Sequence, residues 1–242
     1  DYCDQCAEYT NQRKSLERCI TFLKTSNNPD ELKRKEVQLA NLKANINDHR
    51  RLATANHNYY NNQIKQCTEN YEKISALTTL PTTKKRLKDN FVAVISCDYQ
   101  QVKQLPQFGL SPQPGSTYYL RKLNVDVFVL ISHLNNKVII VLFDERFGPK
   151  TSDHTLSFLK YHLESLEDFI RDAQIFMDNA AVNKSQYMSS WASEMVMFSR
   201  YHRVRCSFQL AGHTKFRPDI VMAPMARNFY KPDIFTLSEF AH

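Results

Sequence analysis

The 242-residue sequence has no long hydrophobic run and very little glycine. No apolar stretch reaches the roughly 18 residues that a membrane-spanning helix needs, so we expect no membrane partner. No signal peptide precedes the first predicted element, which predicts a soluble, intracellular protein. All four glycines lie beyond residue 108. Because glycine marks turns, their absence before that point predicts that the first hundred residues are mostly helical.

The net charge of +7 is unevenly distributed. Most of the excess of Lys and Arg over Asp and Glu lies in residues 1–90, whereas the rest of the chain is close to neutral. A basic arm beside a near-neutral domain suits a protein that binds a phosphate backbone, because neutralised phosphates release counterions. A solvated basic helix accounts for the same composition equally well. DNA is the expected partner, with RNA as the other polynucleotide that this charge would suit.

The first part of the chain predicts a helical arm over residues 1–77. Apolar residues recur at helical spacing between residues 8 and 76, and the run is broken once, by the turn-forming residues 26–30. Asp30 is a suitable cap for the second helix. A short helix followed by a long one could form a hairpin or the seam of a coiled-coil homodimer, and the heptads do not decide between them.

Residues 78–90 are predicted to be a basic linker that ends the arm. The segment contains Pro81 and shows no periodicity. Its cationic side chains are candidates for contacts with nucleic acid, although a solvated run of charge is the commoner arrangement. The candidates are Lys84, Lys85, Arg86 and Lys88.

Residues 91–242 predict an α/β domain with a mixed sheet. Three β-rich runs, at 91–97, 125–134 and 137–143, come first, and Asn135-Asn136 supplies a tight turn between the last two. Helical and strand-like segments then alternate, which gives the order β-β-β-α-β-α-β-α. A meander followed by helical crossovers predicts parallel additions to the sheet and helices on its faces. This is the RNase H-like order, a mixed five-stranded sheet flanked by helices.

Two aspartates stand at the ends of apolar strands. Asp98 follows the strand 91–97, and Asp178 follows the strand 173–177. Neighbouring strands would bring the two carboxylates together, and a buried acid is costly unless it binds a cation. Each aspartate taken alone could instead cap the turn that follows its strand.

Asp219 is the third candidate acid. It is predicted to lie in the first turn of a helix after the strand 204–211, where a helix N-terminus by itself favours an anion. Three carboxylates around an open cavity suit Mg²⁺ or Mn²⁺. Two such ions can activate an attacking oxygen and stabilise the leaving oxygen of a phosphodiester.

Three sequence blocks resemble a transposon-derived domain family found widely in animal genomes, whose general form looks like a DDE transposase core. The blocks are residues 94–98 (VISCD), 176–186 (FMDNAAVNKSQ) and 212–219 (GHTKFRPD). The resemblance implies a nuclear protein with Asp98, Asp178 and Asp219 as metal ligands and His213 as a nearby catalytic group. It also implies phosphate contacts from Lys184 and Lys215. In the second block Val182 stands where the family has Gln, and that block is one residue shorter.

Other acidic residues are also candidates for the third carboxylate ligand of the metal site, in place of Asp219. Glu194 is the strongest of them, but it lies on a helix before the last predicted strand, whereas the resembling superfamily places its last acid on a helix after it. The remaining rivals are Asp144, Glu145 and Asp233.

Cys3 and Cys6 have the spacing of a zinc knuckle, and no second Cys-x-x-Cys is present. His49, His57, Cys19 or Cys67 could complete a tetrahedral structural Zn²⁺ site. The two histidines are about two helical turns apart, so only one of them can bind the same ion. The resembling family often opens with a Cys pair followed by a helical His, which favours Cys3, Cys6 and His49. Two free thiols are the main alternative, because a disulfide is disfavoured in a reducing compartment.

The sequence as a whole predicts a metal-dependent DNA nuclease or strand transferase of transposon origin. The first alternative is a domesticated module that keeps the fold and binds nucleic acid without cleaving it. The second is a protein-interaction module in which the helical arm is the working part.

Overall fold

The computed structural model describes residues 3–26, 28–76, 80–109, 111–117, 119–180, 183–210 and 216–241. No helix in this part of the chain is long and apolar enough to span a membrane. The contacts divide the chain into two compact units, residues 1–61 with 209–214 and residues 62–208 with 215–242. The domain boundaries at 77 and 90 stay a prediction.

The first unit contains a helical hairpin. Helix α1 (Asp4–Leu23) ends shortly before the predicted break, and helix α2 (Pro29–Ser75) begins at its end and continues into the second unit. Residues near the start of α1 contact His49 of α2, and the middle of α1 lines a shallow groove with residues 38–45. Ile20, Leu23 and Leu42 are buried at helical spacing. Of the two arrangements predicted for the arm, the unit shows the hairpin; homodimerisation stays a prediction.

The second unit is an α/β domain around a mixed sheet. Its strands are β1 (Val92–Tyr99), β2 (Lys103–Leu105), β3 (Leu123–Ser132), β4 (Lys137–Asp144), β5 (Asp172–Met177) and β6 (Arg203–Phe208). Its helices, after the end of α2, are α3 (Pro81–Asp89), α4 (Ser152–Glu164), α5 (Gln186–Phe198), α6 (Arg217–Phe229) and α7 (Leu237–Ala241).

Strand β1 lies at the centre of the sheet. It pairs antiparallel with β3 and parallel with β5, while β6 continues the parallel side and β4 lies outside β3. The short strand β2 pairs with residues 123–125 of β3, beyond the part that β1 covers, so β1 and β2 share one edge of β3. The lateral order is therefore β4-β3-β1-β5-β6. This is the RNase H-like arrangement that the sequence predicts, with one short extra strand.

Helices cover both faces of this sheet. Val127, Val129 and Ile131 of β3 pack against Met222 of α6. Phe128, which points the opposite way, stacks on Phe158 of α4. A strand covered on both sides is apolar throughout rather than alternating, which is why β3 appears in the sequence as a continuous hydrophobic run.

Most of the predicted linker is helical. Residues 81–89 form α3, because Pro81 occupies the first helical position, where its missing N–H costs nothing, and the following Lys, Arg and Leu favour helix. A helix of nine residues is too short to show a periodic pattern. The predicted hairpin turn lies between Ser132 and Lys137, with Asn136 at a φ of 54°.

Candidate acidic metal centre

The pairing of β1 with β5 places Asp98 and Asp178 side by side. Ser96 is level with Phe176 in the parallel ladder, and the two aspartates each lie two residues further along. Asp98 is also opposite Val129, and residues directly opposite each other in antiparallel strands project to the same face. Val129 packs on α6, so the carboxylate of Asp98 projects to the face that α6 covers.

Helix α6 carries Asp219 to the same edge. Asp219 lies in its first turn, and its Oδ2 accepts a hydrogen bond of 3.2 Å from the backbone N–H of Phe216. Met222, almost one turn further, packs against Val127 and Val129. The side-chain amide of Gln100 donates to the carbonyl of Met222 at 3.0 Å, which ties the helix to the end of β1.

The charge of Asp178 raises the proton affinity of both Asp98 and Asp219. Burial, then the charge of Asp178 and more weakly that of Asp219, raise the pKa of Asp98 to about 7, against the lowering effects of the Tyr99 N–H and Lys150. Burial and the charge of Asp178 raise the pKa of Asp219, partly offset by the Phe216 N–H. Mutual repulsion of acids at one site is the pattern expected where a cation normally offsets it.

Each aspartate has one oxygen held by a hydrogen bond. The Tyr99 N–H donates to Asp98 Oδ1 at 2.7 Å, and the Asn183 side-chain amide donates to Asp178 Oδ1 at 2.5 Å. None of the ion pairs formed among the described residues involves Asp98, Asp178 or Asp219. Lys150, the cation whose charge acts on Asp98, forms its ion pair with Asp126 and not with one of these three acids. Hard, oriented carboxylate oxygens of this kind fit Mg²⁺ or Mn²⁺.

Lys150 and Asn183 are site residues that no single pattern in the sequence identifies. The ammonium of Lys150 lies 3.2 Å from Asp126 and donates to the carbonyl of Gln100 at 2.9 Å, close enough to Asp98 to lower its pKa. Asn183 stands inside the second resembling block, but only its hydrogen bond to Asp178 reveals what it does. Neither contact can be read from spacing, because each depends on the path of a loop.

A polar groove adjoins the centre through Lys150. Its volume is about 950 Å³. Its wall contains four amide side chains, two lysines, two acids and two aromatic rings. These residues include Gln101, Gln104, Lys122, Asn124, Lys150 and Tyr230.

The rival acids have other partners or positions. Asp144 pairs with Arg146 at 2.6 Å, and Glu145 pairs with Arg121 at 3.1 Å. Asp233 accepts a hydrogen bond from the Gly109 N–H at 2.8 Å. Glu194 is exposed on α5.

The predicted basic contacts are divided between two places. Lys84, Lys85, Arg86 and Lys88 lie on α3, just before the start of β1, whereas Asp98 lies near its end, roughly 20 Å further along the strand. Lys184 is nearer the acids. Its ammonium lies 5.8 Å from the ring centroid of Phe208, which pairs with Met177, the residue before Asp178. His213 and Lys215 lie outside the described residues, so their roles stay predictions.

Cys3, Cys6 and His49 meet within the first unit. One ligand atom from each lies within 4.8 Å of the others, and no other group of three His, Cys, Asp or Glu residues in the described part of the chain is so close. The three aspartates are more widely spaced than this group. His57, Cys19 and Cys67 are not part of the group.

Comparisons with known proteins give a family and a structural likeness. Residues 116–242, just over half of the chain, match the family model described as "Domain of unknown function (DUF7869)". No curated protein matches the chain. Among solved structures, a crystal structure of the Mos1 strand transfer complex matches with 10% identity and a TM-score of 0.35. A Mos1 transposase paired-end complex with the left transposon end matches with 12% identity and a TM-score of 0.41.

Both matches cover 74% of this chain and 52% of the matched chain. The chain therefore spans about half the length of these transposases. At such scores the fold assignment rests on the strand order and register of this chain itself.

Proposed function

Since the chain belongs to the DUF7869 family, whose description names no activity, we propose from the site itself that it is a metal-dependent nuclease or strand transferase acting on DNA. The observation that carries the proposal is the convergence of Asp98, Asp178 and Asp219 at one edge of the sheet. Two of these acids have a raised pKa, and Lys150, whose charge acts on Asp98, is paired with Asp126.

The three aspartates would hold Mg²⁺ or Mn²⁺ through their second oxygens. A bound pair of such ions supplies Lewis-acid activation of the attacking oxygen and charge stabilisation at the leaving oxygen. The protein's own part is to orient the ligands. The N–H groups of Tyr99 and Phe216 and the amide of Asn183 fix three carboxylates before substrate arrives.

The surroundings suit a polynucleotide substrate. The groove beside Lys150 is polar and open, and its amide side chains offer hydrogen bonds to bases or sugars. Lys184 lies near Phe208, which pairs with the residue before Asp178, and could contact a phosphate there. In the reaction, a water or 3′-hydroxyl oxygen forms a new bond to phosphorus, the bond to the leaving oxygen breaks, and the proton of the nucleophile passes to solvent.

The test combines metal binding with cleavage on the same samples. Mn²⁺ is titrated into the whole chain by calorimetry, and nicking of supercoiled DNA is assayed with the wild type, Asp178→Asn and Glu194→Gln. We expect binding and nicking in the wild type and in Glu194→Gln, and neither in Asp178→Asn. Loss in Glu194→Gln instead would give that exposed acid the role of third ligand.

Two results would contradict the proposal. Absence of both Mn²⁺ binding and nicking in the wild type would show that the three aspartates do not form a metal centre. Mn²⁺ binding that depends on Asp178, without any nicking, would leave a domesticated module that keeps its metal and binds nucleic acid.

A further inference from the structure

The first unit brings together three metal-ligand side chains that the acidic centre does not use. Cys3 caps the N-terminus of α1, Cys6 lies in its first turn, and His49 lies on α2, 46 residues from Cys3. Cys3 Sγ is 3.4 Å from His49 Nε2, and Cys6 Sγ lies within 4.8 Å of both atoms. Two separate segments therefore converge on one point.

The spacing is that of ligands around one ion. Zinc bonds of roughly 2.0 to 2.3 Å in a tetrahedron set neighbouring ligand atoms roughly 3.4 to 3.8 Å apart. Cys3 and His49 already have this separation, and Cys6 needs only a small side-chain adjustment. The site is also shielded from water, because Cys3 is 5% exposed and His49 7% exposed. The ring of Tyr9 packs edge-on against the imidazole at 6.0 Å and fixes its plane.

We propose that Cys3, Cys6 and His49 bind a structural Zn²⁺ that clamps the start of α1 to α2. A water molecule or a further side chain supplies the fourth ligand. The clamp closes the end of the hairpin that lies opposite its turn. Two thiolates and an imidazole are softer ligands than three carboxylates, so the two sites select different metals. The zinc site therefore stands whether or not the acidic centre cleaves DNA.

The alternative to a zinc site is that Cys3 and Cys6, at the N-terminus of α1, form a redox-active pair. Neither of these two described cysteines forms a disulfide in the structure. A disulfide would leave His49 without a reason to contact Cys3 at 3.4 Å, whereas one metal ion uses all three side chains.

The chain offers matched controls for the experiment. Cys19 lies on the same helix as Cys6, and His57 lies on the same helix as His49, but neither belongs to the cluster. Zinc content of the purified whole chain is measured for the wild type, Cys3→Ser, Cys6→Ser, His49→Gln, Cys19→Ser and His57→Gln. Cobalt is then substituted for zinc, and its absorption spectrum is recorded.

We expect one zinc per chain in the wild type and in both controls, and at least a tenfold loss in each of the three cluster variants. Cobalt should give thiolate-to-metal charge-transfer bands and the intense visible bands of tetrahedral coordination. The cobalt spectrum of the wild type decides the matter even if a cluster variant fails to fold. Unchanged zinc content in the cluster variants, an octahedral cobalt spectrum, or a Cys3–Cys6 disulfide in the wild type as purified under reducing conditions would overturn the proposal.

Discussion

Removing Asn183 would test the orientation of one proposed metal ligand, Asp178, without removing the charge of that carboxylate. Its side-chain amide donates to Asp178 Oδ1, and its own side chain is 6% exposed, so the contact is sheltered from water. Partners of this kind hold a ligand in its binding geometry without touching the ion.

Asn183→Ala should weaken Mn²⁺ binding by about 10- to 100-fold, because Asp178 then loses its fixed orientation. Calorimetric titration measures the change. Asn90→Ala is the control, since that amide caps a carbonyl on α3, at the far end of β1. Equal Mn²⁺ affinity in the wild type and Asn183→Ala would mean that the backbone alone orients Asp178.

Asp98 should make the metal-free protein less stable as the pH rises. Its pKa is about 7 in the folded protein, against an ordinary value of 3.8, so the folded state binds the proton more tightly than the unfolded state does. Its contribution to stability is complete below pH 3.8 and is lost as the pH rises through about 7.

Asp98→Asn should therefore stabilise the metal-free protein by about 2 kcal/mol more at about pH 8 than at about pH 4, allowing for solvent screening. The same change should abolish Mn²⁺ binding. Denaturant unfolding at the two pH values, with chelator present, measures the first effect. A gain that is the same at both pH values would show that the charge of Asp98 costs nothing in the folded state.

At this scale the proximity of the acids could be predicted, whereas their hydrogen-bond and ion-pair neighbours could not; that the acids bind metal stays a prediction. Asp98 and Asp178 are visible in the sequence because each directly follows an apolar strand, and parallel strands bring their carboxyl ends to one edge. Lys150 follows a loop, and its approach to Asp126 depends on where that loop crosses the sheet. No local pattern encodes such a contact.

Helix α4 carries a buried histidine that should make the domain sensitive to acid. His162 is 3% exposed, and neither ring nitrogen has a hydrogen-bond partner in the described part of the protein. Burial, and secondarily the charge of Lys137, lower the pKa of His162 from 6.5 to about 4. Between these values the unfolded chain binds the extra proton, so stability falls as the pH drops.

His162→Leu should remove this loss and gain about 2 kcal/mol at about pH 5 relative to its effect at about pH 8. Unfolding free energies at the two pH values give the comparison. His202→Leu, at an exposed position, should show no such difference. An equal effect of His162→Leu at both pH values would show that the buried ring is not the acid-sensitive group.

Long elements were predictable and short ones were not. The main strands of the sheet show clear apolar runs, and the structure has β1, β3, β4, β5 and β6 close to their predicted positions. The three residues of β2 and the nine of α3 are too few to form a pattern. Strand β2 exists because β3 extends beyond the end of β1 and its backbone groups need partners there.

Across the whole molecule, Mn²⁺ and zinc should each change amide exchange in a different region. Amide exchange of the wild type is compared with and without Mn²⁺, and with and without a chelator that removes zinc. We expect Mn²⁺ to slow exchange in the loops after β1 and β5, and zinc removal to speed exchange in α1 and around His49. Changes that overlap throughout both units would show that the protein has one metal response rather than two.

The register of β1 against β5 also determines which mutations the folded domain can tolerate. Replacing Asp98 or Asp178 leaves the ladder and the apolar core intact, so copies without activity can still fold. Deleting one residue from β1 would turn every later side chain of that strand to the opposite face and expose its core. Lineages in which the proposed cleavage activity is lost should therefore accumulate substitutions at the acids, while the length of the central strands stays constant.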